Sequence, residues 1–108
     1  MIVNVKMKPP RGDSKFRPAV VCTPDSAIPT STVIKVVAIT SSFYPDDPNS
    51  IPLPWHREGN VVTRLRKRSC AALAFTGTVS VSDVTPSTAH VPRKELAAIL
   101  DGLIRMGK

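Results

Sequence analysis

From Val33 to Ile39 the chain reads Val-Ile-Lys-Val-Val-Ala-Ile, seven residues with one charge. A run this apolar and β-branched, and too short for a helix, predicts a strand covered on both faces, which makes it the central strand of a sheet. It ends in three hydroxyls, Thr40-Ser41-Ser42. The stretch before it, Lys15-Phe16-Arg17-Pro18-Ala19-Val20-Val21-Cys22, predicts a second buried strand with an arginine at its mouth, joined to the first through a Pro/Ser/Thr-rich connection. No other part of the chain combines an uninterrupted apolar run with polar groups at its end, so any chemistry is expected at the rim of this pair.

A chain of 108 residues, 42% hydrophobic, can bury one core and forms one domain, 1–108. The formal charge of +7 points to polyanionic partners when the cations cluster. They do: the first seventeen residues carry net +4, and Arg64, Arg66, Lys67 and Arg68 stand within five positions. Cys22 and Cys70 each lie in an apolar run and read as free buried thiols of a reducing compartment. There is no Cys-x-x-Cys pair, and His56 and His90 stand apart, so the spacing offers no metal site and no cofactor. The first residues lack the apolar core of a signal peptide, and no segment approaches the roughly 18 apolar residues of a membrane span. A cytoplasmic protein without membrane association is expected.

In chain order, Ile2, Val3, Val5 and Met7 predict a first strand that stops at Pro9-Pro10. Residues 43–55 hold four prolines and three of the five aromatics, which excludes helix and interior strand and predicts a long loop, either a functional lid or a cover for the barrel end. Val61-Val62-Thr63 is a short strand candidate. The run Ser69–Phe75 and the alternating Val79–Val84, separated by Gly77, predict two further strand segments in an antiparallel meander. Pro92 opens a helix whose Leu96, Ile99, Leu100, Leu103 and Ile104 recur at helical spacing and must pack on the sheet or on a partner. Gly102 inside it costs about 1 kcal/mol of helix propensity relative to Ala. The whole is mainly β with one C-terminal α-helix.

A Pro-Pro-Arg-Gly loop, Phe16-Arg17-Pro18-Ala19-Val20-Val21, Val37-Ala38-Ile39-Thr40-Ser41, Leu53-Pro54-Trp55, and Val91-Pro92 opening a helix follow one another in that order. With the basic charge, this pattern resembles the PemK/MazF family of toxins from bacterial type II toxin-antitoxin systems, over nearly the whole chain. The resemblance implies a small SH3-like antiparallel β-barrel with a C-terminal helix, usually a homodimer. It also implies a metal-independent endoribonuclease that cuts single-stranded mRNA to 2′,3′-cyclic phosphate and 5′-hydroxyl ends, and a cognate antitoxin that occupies the basic groove and binds operator DNA with the toxin. The family's catalytic arginine and threonine map to Arg17 and Thr40. A guanidinium suits the charge that grows on phosphoryl oxygens. Lys15, Ser41, Ser42, Trp55, His56, Arg57, Arg64, Arg66, Lys67 and Arg68 are the candidate RNA contacts, the cations holding phosphates and Trp55 offering a stacking face.

Two positions depart from the family pattern. The chain opens at Met1-Ile2-Val3 without the Gly-Asp pair common before the first strand, and Ala72, Leu73 and Ala74 lie where some members place an acidic acid/base residue. The alternative on the same scaffold is a non-catalytic protein that binds nucleic acid or gyrase and acts as growth inhibitor or operon co-repressor.

Overall fold

The apolar run at 33–39 forms β3 (Val33–Thr40), third across the six strands that the described residues form in one antiparallel sheet. The computed structural model describes residues 1–7, 15–23, 33–41 and 47–108. The other strands are β1 (Ile2–Met7), β2 (Lys15–Val21), β4 (Ser50–Leu53), β5 (Ser69–Ser80) and the two-residue β6 (Thr85–Pro86), and the helix is α1 (Arg93–Arg105). The order across the sheet is β4-β5-β3-β2-β1-β6. Only β1, β2 and β3 form the expected meander; β5 then lies against β3, with β4 outside it, and β6 returns to the far edge beside β1.

Both faces of the central strand are covered, as its composition requires. Val36, Val37, Ala38 and Ile39 are all buried, yet they divide by alternation between two cores. Val37 and Ile39 join Ile2, Val20 and Leu73 on the face packed by Ile99 and Leu103 of α1. Val36 and Ala38 join Val3, Val5, Ala19 and Val21 on the other face, where Phe75, Val79, Val81 and Val84 pack against them. On the helix, Ile99, Gly102 and Leu103 are buried, whereas Leu100 and Ile104, counted with the apolar stripe from their spacing, are 38% and 75% exposed. The stripe touching the sheet is therefore narrower than the sequence pattern.

Three local expectations change. The proline-rich segment contains a strand, β4, and Pro52 is tolerated because β4 is an edge strand with one neighbour. The two segments flanking Gly77 are one twelve-residue strand, β5, which ends at a 3-10 turn over Val81–Asp83. Val61-Val62-Thr63 is no strand: the buried Thr63 hydroxyl donates to the Pro54 carbonyl (2.6 Å) and accepts from the Leu65 N–H (3.3 Å), while the Val62 carbonyl takes the His90 N–H (2.9 Å). The Val61 carbonyl takes the Arg64 N–H (3.0 Å) in a turn, so the carbonyls of both valines are engaged outside any strand ladder.

Two irregularities shape the end of the sheet where the hydroxyls emerge. Val37 pairs with Thr76 but Ile39 pairs with Ala71, so Ala38 alone faces residues 72–75 of β5, a bulge that bends that strand. On the other side of β3, the ladder with β2 stops at Ala19↔Ala38. The next residue of β2 is Pro18, which has no N–H to give. The two strands thus part as a fork, with Arg17 on one prong and Thr40 on the other.

Candidate functional site

Extending the β2–β3 register by two residues on each strand would set Arg17 opposite Thr40, and alternation from Ala19 and Ala38 puts both on the same face. Arg17 is paired with Val5 of β1 and is half-buried. Its guanidinium carbon lies 5.1 Å from the centroid of the Phe75 ring, a cation–π distance. Its Nε–H is buried and meets no acceptor among the described residues. A buried donor left unpaired is costly, and a guanidinium is shaped to give its donors to phosphate.

Thr40 closes β3, half-buried and paired with Cys70 of β5. Burial pushes the Cys70 thiol above its ordinary range, and Asp47 adds to that against a lowering hydrogen bond from Ser50. A neutral thiol is a poor nucleophile, so Cys70 is core and not chemistry. With Ser41, Thr40 enters the lining of a cleft of about 320 Å³ together with Pro18, Ile39, Leu65, Arg66, Lys67 and Ser69. A second cleft shares Pro18, Leu65 and Arg66 with the first and runs on to Asn4, Arg64, Ser87 and Thr88. A third shares Arg64 and Thr88 with the second and reaches His90. The three are linked through shared lining residues into one grooved region of the surface, and three cations stand among the residues that line it: Arg64, Arg66 and Lys67.

The loop that carries those cations is fixed by its own backbone. Besides the Thr63 bonds, the His56 N–H donates to the Leu65 carbonyl (2.9 Å) and the Arg64 N–H to that of Val61 (3.0 Å). Arg64 sits at φ 59°, a left-handed conformation that costs a non-glycine residue roughly 1–2 kcal/mol. It stands where two of the clefts meet.

The remaining candidates divide. His56 accepts the Glu58 N–H at Nδ1 (3.1 Å), so on that side it serves the loop. Trp55 is 46% exposed, and Arg57 and Arg68 are exposed; Arg17, Trp55, His56, Arg57 and Arg68 all lie outside the linings of the three clefts, which take from β2 only Pro18, the residue beside Arg17. Lys15 opens β2 opposite Met7, its side chain being outside what is described, and Ser42, Phe43 and Tyr44 lie outside the described residues. Among the described residues no three His, Cys, Asp or Glu side chains stand close enough together to hold a metal ion. Among the described residues no helix is long and apolar enough to cross a membrane. Sequence reasoning missed Phe75, whose apolar context reads as core, and the apolar floor that Pro18 and Leu65 give the groove.

The family model described as PemK-like, MazF-like toxin of type II toxin-antitoxin system matches residues 1–107. No curated protein matches the sequence. Among solved structures, the chain is similar to the Mycobacterium tuberculosis toxin MazF-mt6, at 17% identity and TM-score 0.74 over 97% of this chain and 94% of that one. It is similar to MazF from Deinococcus radiodurans at 20% identity and TM-score 0.73, over 99% and 93%. A MazE-MazF structure from D. radiodurans matches at 19% identity and TM-score 0.70, over 97% and 90%. At these identities the likeness speaks for the fold, which is the mainly β MazF-like fold with a C-terminal helix.

Proposed function

The chain belongs to the PemK-like, MazF-like toxins of type II toxin-antitoxin systems, and from that premise we propose that it is a metal-independent endoribonuclease acting on single-stranded mRNA in the cytoplasm. The observation that carries this reading is the placement of the Arg17 guanidinium at the end of the β2–β3 ladder, on the face that alternation gives it in common with Thr40.

In the proposed reaction the ribose 2′-oxygen bonds to phosphorus as the bond from phosphorus to the 5′-oxygen breaks. The 2′-hydroxyl gives up its proton, the departing 5′-oxygen takes one, and the products are a 2′,3′-cyclic phosphate and a 5′-hydroxyl. No water is consumed. Arg17 holds the phosphoryl oxygens as their charge grows, and the Thr40 hydroxyl binds the same phosphate or relays a proton. The flanking strand runs in the groove against Arg64, Arg66 and Lys67, contacts that fix position without reading sequence. Lys15, Ser41, Ser42, Trp55, His56, Arg57 and Arg68 are further proposed contacts at its margins.

The protein acts as a homodimer in this reading, and an acidic segment of a cognate antitoxin neutralises it. The +7 charge and the basic groove wall support that pairing, as does the likeness to a MazE-MazF structure. Incubation with a long RNA, with and without EDTA, followed by mapping of the ends, tests the activity. Arg17→Ala should keep the fold and cut at a rate lower by about 10²-fold or more. Undiminished cleavage by the variant would remove Arg17 from the mechanism.

A second reading is favoured by one observation: residues 72–74, facing Ala38 across the bulge, carry no ionisable side chain. It makes the protein a non-catalytic toxin that binds gyrase, or operator DNA with its antitoxin. Growth inhibition with RNA left uncut by the wild type would select it.

A further inference from the structure

Arg17 needs something to hold its guanidinium in place, and no carboxylate among the described residues does so. The structure offers a ring instead. Phe75 is half-buried and packs on the core cluster of Val3, Val5, Ala19 and Ala38, which anchors the ring from behind. Its position is the last of the four bulged residues, 72–75, that face Ala38 alone, so the irregularity of β5 brings it to this place. The guanidinium carbon of Arg17 is 5.1 Å from its centroid.

A carboxylate partner and an aromatic partner hold an arginine differently. A carboxylate takes one or two of the five N–H donors and cancels the charge. The face of an aromatic ring attracts the cation through its quadrupole, with the N–H groups in the guanidinium plane left unspent. That accords with the buried Nε–H of Arg17, which reaches no acceptor among the described residues.

We propose that Phe75 is a positioning residue for Arg17: its ring fixes the guanidinium while leaving both charge and donors for the phosphate. The inference rests on the endoribonuclease reading for its consequence in catalysis, though not for the contact itself. Because phosphoryl charge is greatest in the transition state, loss of the ring should act on kcat more than on KM.

The test uses the full-length protein. In the wild type, the Arg17 Nε–H proton, assigned by its disappearance in Arg17→Lys, is expected upfield of ordinary arginine values by the ring current of Phe75. Phe75→Leu should abolish that shift and lower kcat on the order of tenfold with KM changed less than about threefold. Phe75→Trp should retain the shift and most of the rate. A thermal melt of each variant shows that it is folded. An unshifted resonance in the wild type, or wild-type kcat in Phe75→Leu, overturns the proposal. So does a loss of kcat that Phe75→Trp fails to restore, since that would make the ring a packing element only. If the wild type cuts no RNA, the endoribonuclease reading falls, and the resonance comparison alone decides whether the ring holds Arg17.

Discussion

Gly102 is buried in α1, and a Cβ added there would lie 2.4 Å from Cδ1 of Leu73. Carbon atoms pack at about 3.5–4.0 Å, so Gly102→Ala requires a displacement of more than about 1 Å. The tip of an exposed leucine would swing aside cheaply. Leu73 is fully buried between the sheet and Ile99 and Leu103, with its N–H bonded to the Asn49 carbonyl at 2.8 Å, so its space is already taken. Overpacking a filled core costs about 1–3 kcal/mol, and the upper end applies here. Helix propensity works in the opposite direction and returns about 1 kcal/mol when alanine replaces glycine. The net expectation is a loss of about 2 kcal/mol, or about 8 °C in Tm for a domain of this size. Urea unfolding of Gly102→Ala, Leu73→Ala and the double variant measures it. In the Leu73→Ala background the clash is gone, and Gly102→Ala should be neutral or stabilising by up to about 1 kcal/mol. A higher midpoint for Gly102→Ala alone, or the same cost in both backgrounds, would refute the steric argument.

Thr63→Val removes a buried hydroxyl that bridges the Pro54 carbonyl and the Leu65 N–H; unfolding in urea should show a loss of about 1–3 kcal/mol, and gel-shift titration should show weaker RNA binding as the loop bearing Arg64 and Arg66 loosens. Burial pushes the thiols of Cys22 and Cys70 above the ordinary value of 9.0, so the folded state favours their neutral form. The stability this contributes is complete below pH 9.0 and is lost as pH rises through the folded values. Replacing both by alanine should therefore reduce the fall in urea midpoint between pH 8 and pH 10, while in the wild type a disulfide-exchange reagent should label the thiols far more slowly at pH 8 than after unfolding.

What the sequence revealed and what it hid have physical causes. β1 and β3 and the start of the helix were legible because their apolar patterns match the period of the element and Pro9 and Pro92 mark boundaries. β4 was hidden by prolines that exclude an interior strand but not an edge. Gly77 read as a break; it serves close packing, since a Cβ there would lie 3.3 Å from Cε of Met7, and β5 runs through it. The β-branched triplet Val61–Thr63 follows strand propensity, and side-chain bonds to Pro54 and Leu65 overrode it. At the rim, Arg17 and Thr40 were named from a family pattern. The contact of Arg17 with Phe75 depends on a bulge in β5, and no local pattern in the residues announces how four residues will face one.

That bulged strand also sets how the molecule comes apart. β5 is bonded on one side to β3 and on the other to β4, and Cys70 and Ala71 take part in both ladders. Neither half of the sheet can open along β5 while the other keeps its register, which joins the rim and the α1 core in one cooperative unit. Deuterium should enter the amides of 70–73 only at the rate of global unfolding, so the strand beneath the proposed site is also the last to let water in.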